Sequence, residues 1–192
     1  MTTTVNRPSR TRSALVLVAF LAISFGVAAF GSLSTIENVD GWYSTAEKAS
    51  WNPPNWIFGP VWTLLYTLIS VAAWLVWRGG AQTIAPAIAR PQRRGSLRPR
   101  ETSPRQSALA LYVIQLVLNA IWTPVFFGAY PFIGAPALWI ALVIIVLLDV
   151  AVLLTMLAFW PVSRVASWLL VPYWAWVLFA TTLNGALAIL NS

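Results

Sequence analysis

Aromatic and amide side chains recur at helical spacing in three places. Tyr112, Gln115, Asn119, Trp122 and Phe126 share one helical stripe, as do Phe58, Trp62 and Tyr66, and again Tyr173, Trp176, Ala180 and Asn184. Brought together, these stripes make a pocket of indole and phenol rings with a few amide donors and acceptors. Such a lining suits a flat, largely apolar ligand, which stacks on the rings and is oriented by Asn119, Gln115, Trp N–H or Tyr O–H groups. Other chemistries are excluded by composition. With 0 Cys and 0 His, there is no thiol nucleophile, disulfide, Ser-His pair or zinc-His site, and no His-ligated haem. No metal site is expected. Met156 or a Tyr is the only remaining kind of axial ligand for iron, so iron ligation is not expected either. Asp149 is the single acid within an apolar stretch. An intramembrane carboxylate is a functional candidate, and the plainer reading is that it hydrogen-bonds a neighbouring helix.

The elements that carry these stripes follow from the charges. Of 192 residues, 59% are hydrophobic and only 9% charged, with 12 basic and 5 acidic side chains. Mean hydropathy is +0.74. A soluble domain carries about 25% charged residues, so lipid is the expected solvent. Residues 13–36, 49–77, 106–148 and 165–192 contain no charge. A spanning helix needs roughly 20 apolar residues, and residues 106–148 would form a single helix about 65 Å long. That segment must fold back, at Gly128, Pro131, Gly134 and Pro136. The expectation is an all-α integral membrane protein, a five-helix transmembrane bundle with spans at about 13–34, 55–77, 107–128, 135–159 and 165–190. Lipid offers no partner to an open strand edge, so all five must be helices.

Arg and Lys alternate between the two sides. Arg7, Arg10 and Arg12 precede the first span, and Arg78, Arg90, Arg93, Arg94, Arg98, Arg100 and Arg105 fill the second connection. Arg164 lies between the fourth and fifth spans. The first loop sets Lys48 against Glu37, Asp40 and Glu47, and the third loop and C-terminus carry no charge. This pattern predicts a basic cytoplasmic tail at 1–12, a cytoplasmic N-terminus and an external C-terminus in a bacterial-type plasma membrane. The net charge of +7 is thus a topology signal, and no separate domain exists to bind nucleic acid. The first span's apolar run exceeds a signal-peptide core, so an uncleaved helix is expected. Residues 79–106, rich in Arg, Pro, Ser and Gly, read as a disordered, solvated loop, with docking on anionic lipid headgroups as the alternative.

The run Trp42-Tyr43, Lys48, Trp51-Asn52-Pro53-Pro54, Trp56, Phe58, Pro60-Val61-Trp62 and Leu65-Tyr66 resembles the signature of the TspO/MBR (tryptophan-rich sensory protein) family. These are the bacterial relatives of the mitochondrial translocator protein, or peripheral-type benzodiazepine receptor. Tyr112, Gln115-Leu116, Leu118-Asn119, Trp122-Thr123-Pro124 and Phe126-Phe127-Gly128 resemble its third-helix motif, and Pro172-Tyr173, Trp176-Val177, Phe179-Ala180 and Leu183-Asn184 its fifth. The resemblance covers residues 14 to 191. It implies a five-helix bundle, commonly a homodimer, with the first loop (35–54) folded as a lid over a pocket. It also implies binding of porphyrins such as protoporphyrin IX, with Trp62, Asn119 and Trp176 in the pocket. On this reading the ligand site comprises Trp51, Phe58, Trp62, Tyr66, Gln115, Asn119, Trp122, Tyr173, Trp176 and Ala180, with no resident cofactor.

Several positions depart from the family pattern. Ala46 and Ala49 replace a usual Leu and Pro in the lid, Ile69-Ser70 replace Met-Gly, and the second connection is longer and more basic. Residues 187–192 hold no Tyr followed by Lys or Arg, so the cholesterol motif is not carried over. Three functions stay open. One is tetrapyrrole transport or stress sensing by a receptor-like protein. A second is light-dependent porphyrin breakdown, which would use Trp62 and Trp176, since no tuned general base or nucleophile is visible. The third is regulation through a partner protein.

Overall fold

A computed structural model describes residues 8–79 and 103–192. Its long helices are α1 (Arg10–Val39), α3 (Phe58–Gly79), α4 (Pro104–Thr123), α6 (Ala135–Phe159) and α8 (Val171–Leu190), with short helices α2 (Trp42–Thr45), α5 (Tyr130–Ile133) and α7 (Arg164–Leu169) between them. A 3-10 turn, Asn55–Ile57, leads into α3, a π turn, Pro124–Gly128, extends α4, and α7 runs into α8. The result is five helical segments long and apolar enough to cross a membrane. The described residues contain no strand. The protein is an all-α, five-span membrane bundle.

The ends of the helices follow local chemistry. Ser9 caps α1 by accepting from the Arg12 N–H. Ser103 and Gln106 form a reciprocal capping box on α4, with Pro104 in the first turn, so this helix starts before the expected 107. The π turn begins at Pro124, which has no N–H to continue the α ladder. Gly134 has φ of +65°, the left-handed turn that separates α5 from α6 and that an L side chain rarely adopts. Pro172 falls at the join of α7 and α8, where Leu170 ends the shorter helix. The first helix is longer than the expected 13–34. It runs to Val39, and Ser32, Thr35 and Asn38 each return a side-chain hydrogen bond to the carbonyl four residues back, at 2.9, 3.0 and 2.9 Å, so their polar groups are satisfied within the helix. The loop over the bundle therefore begins at Asp40 rather than at 35. The tail at 1–7 and most of the basic connection, 80–102, lie outside the described residues.

Around the bundle, α1 packs on α3 and α4, α4 on α6, α6 on α8, and α7 and α8 on α3. The spans thus follow the cyclic order first, second, fifth, fourth, third. Small residues allow close approach in lipid, where packing rather than water exclusion holds helices together. Ala72, Ala73, Ala108, Ala137 and Ala141 are fully buried, and a Cβ on Gly31 would meet Thr123 Oγ1 at 3.2 Å. Arginines gather at one end. Arg12 and Arg105 lie 5.9 and 5.4 Å from the Trp77 ring, and Arg78 lies 4.5 Å from that of Trp74. At the opposite end the lid meets the C-terminus. The Glu47 N–H donates to Asn191 Oδ1 (3.0 Å), and Asn191 Nδ2 donates to the Glu47 carbonyl (2.9 Å).

Candidate functional site

The three stripes meet through a chain of buried hydrogen bonds. The Tyr66 hydroxyl (α3) donates to Asn119 Oδ1 (α4) at 3.2 Å, Asn119 Nδ2 donates to the Tyr173 oxygen (α8) at 2.9 Å, and the Tyr173 hydroxyl donates to Gln115 Oε1 at 2.8 Å. Each bond crosses between helices, so one amide, Asn119, fixes the separation of α3 and α8 from α4. All four side chains are buried. In lipid such groups have no water to turn to, which gives the chain its fixed donor order.

Rings cluster on one side of this chain. Trp62 stacks on Tyr66 with centroids 5.4 Å apart and meets Tyr173 edge-on at 6.3 Å. Phe58 meets Trp176 edge-on at 5.8 Å, and Trp176 contacts Phe179 at 5.6 Å. Trp62, Phe58 and Trp176 are only half-buried. Two N–H donors within this assembly, Trp176 Nε1 and Gln115 Nε2, are buried without a partner. A buried donor left unpaired costs about 1–3 kcal/mol. The site thus combines aromatic faces with two donors that the described residues leave unsatisfied.

Of the ten expected residues, Trp62, Tyr66, Gln115, Asn119 and Tyr173 are linked by these bonds and ring contacts, and Phe58 and Trp176 form a separate ring pair on the same two helices, α3 and α8. The other three are placed differently. Trp122 is buried but turned elsewhere, with Nε1 donating to Asn184 Oδ1 at 3.1 Å and its ring stacked on Phe126 at 5.0 Å. Asn184 Nδ2 in turn donates to the Leu138 carbonyl at 3.0 Å, so this indole ties α4 to α8 and α6. Ala180 is buried on α8 between Trp176 and Asn184. Trp51 is 55% exposed on the lid. Met156 lines an outer groove with Leu157 and Trp160, and Asp149 lies on the α6–α8 seam, where Thr181 Oγ1 donates to its Oδ2 at 2.7 Å.

Sequence reading missed a second polar cluster. Ser70 Oγ lies 2.7 Å from the Tyr66 carbonyl, 3.2 Å from the Phe20 carbonyl and 2.9 Å from Ser24 Oγ, and Ser24 Oγ lies 2.9 Å from the Tyr112 hydroxyl. This cluster holds α1 against α3 and α4 just behind Tyr66. The replacement of the family's usual Gly by Ser70 and the presence of Ser24 in an otherwise apolar run were the available signals.

The lid is anchored by Trp42, which stacks on Tyr130 at 3.9 Å and donates from Nε1 to the Phe127 carbonyl at 2.8 Å. The Asn52 N–H closes a turn on the Ala49 carbonyl at 3.0 Å, so the turn forms without the usual Pro. Lys48 Nζ donates to the Ser44 and Ala46 carbonyls at 3.3 and 3.2 Å and sits 4.7 Å from the centre of the Tyr43 ring. Burial pushes the Tyr43 phenol above its usual value of 10.0, and its hydrogen bond to Asn52 works in the opposite direction. The folded lid therefore holds this proton more tightly than the free chain does. Its contribution is complete below about pH 10 and is lost as pH rises through the folded value. Proteolysis of the lid is expected to speed up above pH 10, and Tyr43→Phe to blunt that rise. The paired bonds of Asn191 to Glu47 make a second anchor. Asn191→Ala is expected to raise hydrogen exchange at residues 44–48 by about five- to tenfold, the effect of about 1 kcal/mol in hydrogen bonding.

Comparison with known proteins agrees with this architecture. Residues 18–190 match the family model described as the TspO/MBR family. The chain is 37% identical over 177 residues to the tryptophan-rich protein TspO of Archaeoglobus fulgidus, covering 92% of this chain and 94% of that protein. It is 37% identical over 169 residues to the tryptophan-rich sensory protein of Cereibacter sphaeroides, covering 88% and 87%. It is 38% identical over 143 residues to the translocator protein of Homo sapiens, covering 74% and 70%. With a match that runs from the first span to the end of the fifth, the chain belongs to the TspO/MBR family and is a multi-pass integral membrane protein.

Proposed function

We propose that this protein is a membrane receptor that binds a porphyrin of the protoporphyrin IX class between the rings of Trp62 and Trp176, in tetrapyrrole transport or stress sensing. The observation that carries this reading is the pairing of those half-buried rings with the unpartnered donors Trp176 Nε1 and Gln115 Nε2. A porphyrin offers a flat face to the indoles and ring nitrogens or carboxylates to the donors. With no His or Cys, recognition is by faces and edges, and a metal-free ring suffices. Lys48 already holds two lid carbonyls. Its third ammonium hydrogen would be its means of meeting a propionate.

In this reading the lid and C-terminus face outward across a bacterial plasma membrane, and the arginine-rich end faces the cytoplasm. A homodimer is part of the same proposal. Ala22 and Gly26 are exposed on α1, with open space beside Gly26. Titration of the purified protein with protoporphyrin IX, and with more polar tetrapyrroles alongside, tests the ligand class. Saturable quenching of tryptophan emission, weakened in Trp62→Ala and in Asn119→Leu, is expected. Quenching that is linear in porphyrin and equal in all variants would refute the reading.

A further inference from the structure

A groove of about 210 Å³ runs between α6 and the α7–α8 segment on the bundle's outer surface, with no lining residue in common with the ring cluster. Leu153, Met156, Leu157 and Trp160 line one wall, at successive turns of α6, and Trp168 and Val171 line the other. The one hydroxyl in the lining, on Ser167, is spent on the Met156 carbonyl at 2.8 Å. The groove thus presents hydrocarbon throughout.

Its mouth has a different chemistry. Trp160 and Trp168 meet at 6.3 Å and 60°, and both indoles are exposed, at 44% and 63%. Arg164 is exposed, and its guanidinium lies 5.5 Å from the Trp160 centroid. Among the described residues no carboxylate pairs with it. This end of the groove is the arginine-rich end of the bundle, since a Cβ on Gly79, next to Arg78, would meet the Val162 carbonyl at 3.2 Å. Indoles and an exposed arginine at the end of a lipid-facing apolar groove reproduce the order of a phospholipid, with phosphate, interface and chain in turn.

We infer that this groove is a binding site for one anionic phospholipid, with its phosphate on Arg164 and one acyl chain along Leu153, Leu157 and Val171. The choice of a lipid over a soluble ligand rests on the groove's position on spanning helices. The choice of an anionic lipid rests on Arg164, which no carboxylate among the described residues pairs with. The inference is independent of the porphyrin reading, because no residue is shared between the two sites.

Native mass spectrometry of the delipidated full-length protein tests it, with titration by dioleoylphosphatidylglycerol and dioleoylphosphatidylcholine. The expected result is retention of one phosphatidylglycerol with about a five-fold preference over phosphatidylcholine, the effect of one arginine near an anionic surface. Arg164→Gln should abolish the preference while leaving protoporphyrin quenching as in the wild type. Leu157→Trp, at a position 61% exposed on the groove wall, should lower retention of both lipids. Phosphatidylglycerol with brominated chains, which quenches indoles on contact, should quench the wild type more than Trp160→Phe/Trp168→Phe. Equal retention of the two lipids would overturn the inference, as would a preference that survives Arg164→Gln. So would brominated-lipid quenching unchanged in the double variant, which would mean that a second copy of the chain or another surface takes the contact.

Discussion

Removing both indoles, in Trp62→Ala/Trp176→Ala, is expected to weaken protoporphyrin IX binding by roughly five- to 150-fold. The figure follows from about 0.5–1.5 kcal/mol for each aromatic pair beyond its area, summed over two rings. The residues are not equivalent. Trp62 also stacks on Tyr66, so its loss loosens a phenol that positions Asn119. Trp176 carries an unpartnered N–H, so its loss also removes a donor. Trp176→Phe should therefore keep the stacking share and lose the hydrogen-bond share, whereas Trp62→Phe should come close to wild type. Both double-variant rings are half-buried, so the fold should survive well enough for the titration to be read. A drop in affinity no larger than that from removing Trp160 and Trp168, at the outer groove, would count against the site.

The second large effect concerns the fold. Asn119→Leu removes the acceptor of the Tyr66 hydroxyl and the donor to the Tyr173 oxygen in one step. Hydrogen bonds between membrane helices average only about 0.6 kcal/mol, because a displaced group often finds another partner. Here the alternatives are few. Tyr173 keeps its bond to Gln115, but the Tyr66 hydroxyl is enclosed with its partner gone. The expected cost is about 1–3 kcal/mol, that of a stranded buried polar group. Thermal unfolding in detergent should show it. Adding Tyr66→Phe should recover part of the loss, because the stranded hydroxyl is then gone as well. If Asn119→Leu and the double variant were equally destabilised, the hydroxyl would not be the source.

Much of this arrangement was legible in the sequence because lipid simplifies the rules. Charge-free lengths dictated the spans, and helical spacing put Tyr66, Asn119 and Tyr173 on inward stripes. What spacing cannot give is the partner across a helix pair. Trp122 shares its stripe with Asn119, yet its indole N–H reaches Asn184 and ties three helices together, because a helix stripe is wide enough to face two neighbours. Ser24 and Ser70 were hidden for a related reason, since a hydroxyl barely interrupts an apolar run and gains its meaning only when another helix brings Tyr112 to it. The first helix outran its expected end, and there Thr35 and Asn38, which composition reads as loop, satisfy themselves on their own backbone. Tryptophans near the span ends serve different ends that spacing does not separate, since Trp42 is a lid anchor stacked on Tyr130, whereas Trp160 and Trp168 frame the outer groove.

The proposed placement of a porphyrin between Trp62 and Trp176 can be checked by an experimental structure of the protein saturated with protoporphyrin IX. Planar density is expected in contact with both indoles, with an acceptor of the ligand within hydrogen-bond distance of Trp176 Nε1 or Gln115 Nε2. Porphyrin density confined to the lipid-facing surface, with the Trp62 and Trp176 rings unmoved and untouched, would contradict it.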